Sequence, residues 1–425
     1  MPSTFPTNEP FALRHGRMCA EAIPLASLHR AVGPCYVYSR AAVERRTRAV
    51  LDAFGPRAHL VAYAVKANTN PGVLRCLRAL GLGAEAVSEA ELDFARRAGF
   101  PGSATVFNGN GKRERDLRAA LAHGAAYINV DGSWELPRLQ RAAHEAGRTL
   151  DLLLRVNPAL DPDTHPHIAT GLATSKFGMD FGEAEMVARR ASDFPALRMA
   201  GLHVHLGSQI RDAGPLHEGF ARVRDLGLAL EGPGFRLEVL NLGGGFGVDY
   251  AGTGRDLDLS ALARGLDDPG FWGGRRLILE PGRYLVADAG VLVGSVLGVK
   301  LSHGRRFVIV DLGMNDLLRP ALYDAFHEVV PVAPREGETV LADVVGPICE
   351  SGDFLARDRE LPPLLAGDLV AVRHVGAYGY SMASNYNGRL RLPEVWVDGD
   401  RAWLTRRGET LEDLARLETR DEIPL

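Results

Sequence analysis

The stretch VAYAVKANTN, residues 61–70, is an apolar run that ends in one lysine and a small polar turn. It completes a β-rich segment, His59–Val65, of the kind that is buried on both faces in a parallel sheet. Nothing in strand formation requires a charge at Lys66. The lysine therefore points to a function at the end of this strand, and the segments that follow decide the fold.

Short β-rich runs alternate with Ala-, Leu- and Arg-rich helical segments from residue 59 to residue 279. Intervening helices indicate parallel strands, because a parallel connection has to cross back over the sheet. We predict a closed (β/α)8 TIM-like barrel, with a doubly wound open sheet as the alternative, since counting strands does not show closure. The eight predicted strands are His59–Val65, Ala84–Val87, Ala104–Phe107, Tyr127–Val130, Leu150–Val156, Met199–His205, Leu237–Leu242 and Leu277–Leu279. The clearest predicted helices are Pro71–Leu80, Glu89–Ala98, Arg113–His123 and Trp134–Ala146.

After about Ala289 the alternation gives way to strands without regular helices between them. These predicted strands are Val291–Lys300, Arg306–Val310, Leu369–His374 and Glu394–Val397, with Cys35–Tyr38 as one more near the other chain end. We therefore predict a barrel over residues 42–288. A second, mostly β domain of the β-barrel or sandwich type is predicted from residues 1–41 and 289–425.

The formal charge of −4 over 425 residues gives no indication of a nucleic-acid partner. The four cysteines show no C-x-x-C spacing, so neither a zinc site nor a disulfide framework is predicted. The N-terminal residues lack the apolar core of a signal peptide, and the longest apolar run, Ala289–Val299, is too short to span a bilayer. These features predict a cytoplasmic protein with reduced thiols and no membrane partner.

Polar residues and glycines follow every predicted barrel strand. In barrel enzymes the carboxyl ends of the strands carry the chemistry, so we expect these residues to converge on one mouth. They are Lys66, Ser88–Glu89, residues 108–110, Asp131, Asn157–Pro158, residues 207–209, Gly243–Gly245 and residues 280–283.

Two of these motifs are ambiguous when each is taken alone. An isolated lysine such as Lys66 is more often a solvent-exposed residue than a desolvated amine that forms Schiff bases. The glycines Gly243–Gly245 fit a tight turn about as well as a phosphate-binding loop. Their place after the seventh strand favours phosphate, which barrels often bind between their last two strand loops.

A histidine pair and a carboxylate add to the pattern. His203 and His205 lie on the same face of a predicted strand, where an imidazole stacked on a flat cofactor ring is a better interpretation than a metal pair. Glu280 is either a salt-bridge partner of Arg283 or a carboxylate beside the nitrogen of a pyridoxal ring. Together with Lys66 and the glycines, these residues fit an aldehyde, a phosphate, a ring face and a ring nitrogen.

Seven longer motifs occur in order along the chain. They are YAVKAN at 63–68, HVHLGSQ at 203–209, LGGGFG at 242–247, EPGR at 280–283, GMNDLLRPALYDA at 313–325, GPICESGD at 346–353 and GAYGYSMASNYN at 376–387. In this spacing, from about Tyr36 almost to the C-terminus, the sequence resembles the fold-type III pyridoxal-phosphate-dependent decarboxylases. Among these it is most similar to the diaminopimelate decarboxylases.

The resemblance implies a site for pyridoxal 5'-phosphate. Lys66 is the implied Schiff-base lysine, His205 the residue stacked on the ring, and Glu280 the partner of the pyridine nitrogen. The carboxylate at 280 differs from the alanine racemases of the same fold, which have an arginine at this nitrogen. The implied cofactor-binding residues further include Ser208, Gly243, Gly244, Gly245, Gly282, Arg283 and Tyr378.

The resemblance also implies decarboxylation of meso-2,6-diaminopimelate to L-lysine and CO2, the last step of lysine biosynthesis. Cys349 is the implied proton donor, supplied together with Glu350 by the other subunit of a homodimer, so that the β domain would contribute to the active site and the dimer interface. The implied substrate-binding residues are Arg283, Arg319, Tyr323, Glu350 and Tyr378. A substrate without a distal carboxylate would leave the buried arginines unpaired, and we expect it to be rejected.

Four positions depart from the family pattern, namely Glu89, Asn108, Gly111 and Gly388. Three alternatives stay open at this point. One is a related decarboxylase of another basic amino acid such as ornithine, arginine or lysine, and another is a homologue that binds the cofactor without catalysis. A barrel metallohydrolase is a more distant alternative.

Overall fold

The computed structural model describes residues 9–160, 175–421 and 423. The chain divides into two compact units. One comprises Val43–Val286, and the other combines the described parts of Met1–Ala42 and Ala287–Leu425. Among the described residues no helix combines the length and the apolar character needed to cross a bilayer.

The strands and helices are labelled in chain order. The strands are β1 Phe11–Arg14, β2 Arg17–Ala20, β3 Ile23–Pro24, β4 Cys35–Ser39, β5 Ala58–Ala64, β6 Gly83–Ala86, β7 Thr105–Phe107, β8 Tyr127–Val130, β9 Leu150–Arg155, β10 Leu197–His203, β11 Phe235–Asn241, β12 Arg276–Leu279, β13 Gly290–Ser302, β14 Arg305–Val310, β15 Val329–Pro331, β16 Val340–Val345, β17 Phe354–Leu361, β18 Leu369–Val372, β19 Glu394–Asp398 and β20 Arg401–Arg406. The helices are α1 Leu25–Val32, α2 Arg40–Phe54, α3 Pro71–Ala79, α4 Glu89–Arg97, α5 Glu114–His123, α6 Leu136–Glu145, α7 Phe181–Arg189, α8 Ala213–Leu230, α9 Leu259–Arg264, α10 Pro269–Trp272, α11 Arg283–Val286, α12 Arg319–Tyr323 and α13 Leu411–Ala415.

Strands β5 to β12 form a closed barrel of parallel strands, in which β12 pairs back with β5. Apolar side chains from most of these strands, among them Ala62, Val106, Leu153 and Ile278, form one buried cluster. Closure confirms the predicted barrel and rules out the doubly wound open sheet. Because all eight strands run in the same direction, their carboxyl ends lie at one mouth.

The polar turn after β5 begins the next helix as well. The Asn70 side chain accepts hydrogen bonds from the N–H groups of Gly72 and Val73, and Pro71 occupies the first helical position of α3. An asparagine cap followed by proline is a strong helix start, because it satisfies otherwise unpaired N–H groups and presets the backbone. The letters ANTNP therefore end the strand and start the helix within a few residues.

The β unit is organised around β13, which spans 13 residues. This strand pairs antiparallel with β4, β14 and β18, so segments from both chain ends share one sheet. The apolar core of the unit likewise combines Val37 with Val291 and Val395. The predicted second, mostly β domain built from both chain ends is confirmed.

Several strands of this unit were not predicted, and one predicted strand is too long. The missed strands are β1, β2, β3, β15, β16, β17 and β20. They are short or, like the sequence FLARDREL of β17, rich in charge, so no apolar run marks them. The predicted strand Leu369–His374 ends at Val372, since His374 adopts φ +59°, a left-handed conformation that a strand cannot continue through.

Candidate active site

Lys66 lies at the mouth of the barrel. It occupies a 3-10 turn, Val65–Ala67, that directly follows β5, so the strand ends one residue earlier than predicted. The side chain is 45% exposed, and its Nζ lies 3.7 Å from Oε2 of Glu85, a carboxyl at the end of β6 that is almost fully buried. The turn thus holds an amine at the boundary between solvent and a buried carboxyl group.

Glu280, which follows β12, is the centre of a buried polar cluster. Its Oε1 accepts hydrogen bonds from the side-chain amides of Asn241 at 2.7 Å and Asn129 at 3.4 Å. Its Oε2 accepts from the amide of Asn108 at 3.1 Å and lies 3.2 Å from Nε2 of His203. Four partners on four strand ends therefore fix both carboxylate oxygens.

This environment keeps Glu280 ionised. Burial by itself would raise the pKa of Glu280, but the charge and hydrogen bond of His203, the amide of Asn241 and the ammonium of Lys66 outweigh it and lower the pKa. This contact argues against the interpretation of His203 and His205 as a metal pair, because Nε2 of His203 already faces the carboxylate of Glu280.

Glu85 and Glu280 share one amide but have opposite electrostatic behaviour. The Nδ2 of Asn108 donates to Oε1 of Glu85 at 2.8 Å as well as to Glu280. Burial raises the pKa of Glu85, the charge of Glu280 raises it further, and Lys66 and the Asn108 amide only partly compensate. Asn108, one of the departures from the family pattern, therefore donates to two carboxyl groups. Glu280 is ionised, whereas the raised pKa of Glu85 favours its neutral form.

Glu91, on the first turn of α4, provides a testable electrostatic effect. Burial raises the pKa of Glu91 to about 7 from 4.5, Glu85 adds to this, and the Val87 N–H and Lys66 oppose it. Between pH 4.5 and about pH 7, Glu91 is protonated in the folded protein but ionised in the unfolded chain. The free energy of unfolding therefore falls as the pH rises through this range.

We therefore expect Glu91→Gln, which is neutral at every pH, to stabilise the protein at pH 8 relative to wild type by up to about 3 kcal/mol. At pH 4 the advantage should disappear. The measurement is the melting temperature of both proteins at the two pH values, with Glu89→Gln on the exposed side of the same helix as the control. Equal shifts at both pH values would contradict the assigned cause.

His205 and the glycine loop after β11 contact each other directly. The N–H of Gly244 donates to Nδ1 of His205 at 3.1 Å, which leaves the ring proton on Nε2. Burial lowers the pKa of His205 well below its usual value, and the charges of Lys66 and Arg155 lower it further, so the ring is neutral at neutral pH. A neutral, oriented imidazole is suited to packing against a flat ring.

The loop itself leaves no space for side chains. Gly243 and Gly245 have φ values of +64° and +93°, and a Cβ on them would lie 2.4 Å from the Val204 oxygen and 2.2 Å from the Gly207 oxygen. A Cβ on Gly244 would lie 2.3 Å from the oxygen of Glu280. The glycines therefore allow bare backbone to reach the mouth, as a phosphate-binding loop requires.

Ser208, Gly282 and Arg283 complete the barrel side of the site. Buried Arg283 donates from Nη2 to Oγ of Ser208 at 2.8 Å and from Nη1 to the hydroxyl of Tyr250 at 2.9 Å. A Cβ on Gly282 would come within 3.0 Å of Cβ of Ala64, beside the lysine turn. The EPGR segment is thus packed closely against the segment that carries Lys66.

The remaining predicted site residues belong to the β unit. Arg319 is buried at the start of α12, and Tyr323 is half-buried at its end. Tyr378 is half-buried and has φ +61°, a strained value for a residue with a side chain. Such strain is commonly retained at functional positions.

Cys349 and Glu350 lie in the loop between β16 and β17 and are exposed in the single chain. The N–H of Cys349 donates to Oδ1 of Asn387 at 2.8 Å. The carboxylate of Glu350 accepts a hydrogen bond from the hydroxyl of Tyr386. The motif SNYN therefore supports the loop that carries both residues.

Sequence reasoning missed several residues of the barrel cluster. They are Glu85, Asn129, Asn241 and Tyr250. A signal for three of them was present, because Glu85, Asn129 and Asn241 are polar residues inside short apolar strands. A buried polar residue in such a run requires a partner, and the partner here is a shared carboxylate cluster.

Comparisons with known proteins agree with this architecture. Residues 40–287 match the family described as the pyridoxal-dependent decarboxylases, pyridoxal-binding domain. Over 405 residues the chain is 44% identical to the diaminopimelate decarboxylase of Pseudomonas aeruginosa, which covers 95% of this chain and 97% of that protein.

Two solved structures extend the similarity to three dimensions. A diaminopimelate decarboxylase from M. jannaschii in complex with L-lysine is 35% identical, covers 98% of both chains and superposes with a TM-score of 0.91. The diaminopimelate decarboxylase of Helicobacter pylori complexed with L-lysine is 37% identical, with a TM-score of 0.87 over 92% of this chain and 98% of that chain.

Proposed function

The chain belongs to the diaminopimelate decarboxylases of the pyridoxal-dependent decarboxylase family, and we propose on this basis that it converts meso-2,6-diaminopimelate to L-lysine and CO2. It is a carboxy-lyase, and its cofactor is pyridoxal 5'-phosphate. One observation carries the reaction class: the mouth that presents Lys66 also contains a buried carboxylate, Glu280, that is held ionised.

The residues at the mouth fit this cofactor chemically. Ionised Glu280 would hold a proton on the pyridine nitrogen, and the neutral ring of His205 would support the ring face. The bare backbone of Gly243–Gly245, with Ser208 and Arg283 next to it, would receive the phosphate. Lys66 would bind the aldehyde carbon through its amine, and Tyr378 of the β unit is proposed as a further phosphate ligand.

These residues have distinct tasks in the proposed reaction. When bound, pyridoxal phosphate accepts the electron pair that the departing CO2 leaves on the substrate α-carbon. Ionised Glu280 would keep a proton on the pyridine nitrogen, and neutral His205 would add no positive charge beside the ring. The amine of Lys66 would hold the cofactor aldehyde between turnovers and give way to the amine of the substrate.

We propose that the proton for the α-carbon comes from Sγ of Cys349, supplied together with Glu350 by the partner in a homodimer. Exposure of both residues in the single chain supports this, because a reactive thiol requires access to the substrate. A proton-donating thiol has to stay reduced, and we therefore also propose a cytoplasmic location. The product would be L-lysine at the end of its biosynthesis.

Substrate choice is proposed to depend on the second amino-acid centre of diaminopimelate. Arg319 and Tyr323, with Arg283, would bind its carboxylate, Glu350 would accept its amine, and Tyr378 would contribute a further contact. Burial of Arg319 supports this assignment, since a desolvated guanidinium binds a carboxylate strongly and rejects a substrate that lacks one.

The test is CO2 release by the purified protein loaded with pyridoxal phosphate. meso-Diaminopimelate is the substrate, and ornithine, arginine and lysine are the controls. Release from diaminopimelate alone is the expected result. Release from another amino acid would replace the substrate assignment, and a cofactor-loaded protein that releases nothing from any of the four would overturn the reaction.

Arg319→Ala should raise the KM for diaminopimelate by roughly 100-fold, because the variant loses a charge-assisted contact in a desolvated site. Inhibition by the product L-lysine, which retains the distal carboxylate, should weaken as well, whereas inhibition by cadaverine, a diamine without any carboxylate, should change by less than about 3-fold. Arg319→Lys serves as the matched variant, since it keeps the charge but loses the planar fork. Equal weakening of diaminopimelate and cadaverine would remove Arg319 from the carboxylate site.

A further inference from the structure

A fully buried histidine, His327, contacts Arg319 inside the β unit. It lies between α12 and β15, has no exposed surface, and its Nε2 is 2.7 Å from Nη1 of Arg319. On its other side Nδ1 is 2.8 Å from the carbonyl oxygen of Arg373. His327 was not predicted as a site residue, and it lies two residues beyond the motif at 313–325 that contains Arg319.

The two contacts determine the protonation of the ring. A carbonyl oxygen can only accept, so Nδ1 of His327 carries a proton and donates a hydrogen bond to the carbonyl oxygen of Arg373. A guanidinium can only donate, so Nε2 is the unprotonated nitrogen that accepts from Arg319. The imidazole therefore directs the guanidinium without bringing a negative charge to it.

The acceptor is held on a rigid support. The N–H of Arg373 donates to the oxygen of Glu328 at 2.8 Å, and Nη1 of Arg373 donates to Oε2 of Glu328, also at 2.8 Å. These bonds continue the antiparallel pairing of β15 with β18, which lies in the core of the unit. Because the carbonyl group of Arg373 continues this ladder, the acceptor for Nδ1 of His327 is fixed in place.

We propose that His327 is a positioning residue for substrate specificity, which orients Arg319 toward the distal carboxylate of the substrate. The inference rests on the proposed function. A carboxylate as the partner of Arg319 at this place would neutralise the guanidinium and weaken it as a ligand, whereas a neutral imidazole fixes its direction and contributes no opposing charge. The predicted effect is on recognition of diaminopimelate, not on the chemical step.

Two variants separate orientation from packing. His327→Asn keeps a donor where Nδ1 stands but has no acceptor at the position of Nε2, whereas His327→Gln can place its amide oxygen near Nε2. We expect His327→Asn to raise the KM for diaminopimelate roughly 10- to 100-fold, as the loss of a hydrogen bond to a charged group does, with kcat changed less than about 3-fold. His327→Gln should recover most of the loss, and inhibition by cadaverine, which has no carboxylate, should be nearly unchanged in both.

The experiment uses the cofactor-loaded enzyme and includes Arg319→Ala and the double variant. In the Arg319→Ala background, His327→Asn should have little further effect on KM, because the group that it orients is gone. Equal losses in KM and kcat, equal weakening of cadaverine, or full additivity in the double variant would each overturn the proposal. Wild-type protein that does not turn over diaminopimelate would instead refute the proposed function, so the two failures are distinguishable.

Discussion

Lys66→Ala should abolish decarboxylation, with kcat lowered by at least roughly 10⁴-fold, because the variant loses the amine that is proposed to bind the cofactor. The side chain is half in solvent, so the fold should survive its removal. The variant should still bind pyridoxal phosphate through the glycine loop, but without a covalent bond. The measurements are the rate of CO2 release and the mass of the borohydride-reduced protein.

The composition of the chain makes this labelling experiment unusually clean. The sequence contains four lysines, Lys66, Lys112, Lys176 and Lys300. Lys112 is buried and paired with Glu135 at 2.7 Å, so its amine is not available to an aldehyde. Lys300→Ala, at an exposed position of β13, is the matched control. A reduced wild-type protein labelled at any lysine other than Lys66 would refute the assignment.

The barrel could be predicted from the sequence because each of its strands is a compact apolar run between polar turns. His59–Val65 and Leu150–Val156 are typical, and the structure moves their ends by only one residue. A strand that is buried on both faces is apolar along its whole length, so its local composition is enough to predict it. In the β unit, β17 has a charged sequence and pairs with β16, and β16 in turn depends on β14, which lies much earlier in the chain.

The functional groups were predictable to different degrees for a related reason. Lys66, His205, Gly243–Gly245 and Glu280 stand out because they interrupt or follow apolar strands, and long motifs surround them. Two of the four partners of Glu280 were not predicted, although both are polar residues inside apolar strands. Asn129 and Asn241 meet it only when the barrel closes, and neither belongs to a polar motif. The contact between His327 and Arg319 likewise depends on the fold of the β unit.

The charge of Glu280 should matter more than its shape. Glu280→Gln is nearly isosteric but has no negative charge to keep a proton on the pyridine nitrogen, and we expect kcat to fall roughly 10²- to 10³-fold. Cofactor binding should persist, since the phosphate ligands are unchanged. The measurements are kcat under saturating diaminopimelate and the cofactor content of the purified variant.

Glu85→Gln is the matched control for this prediction, because both carboxyl groups are buried and both accept from Nδ2 of Asn108. Burial and the neighbouring Glu280 raise the pKa of Glu85, so its neutral form is favoured and an amide resembles it. The loss of kcat in Glu85→Gln should therefore be at least about 10-fold smaller than in Glu280→Gln. Equal losses of kcat in the two variants would mean that the buried cluster around Glu280 acts through its packing. The negative charge of Glu280 would then not explain the electron-accepting role of the ring.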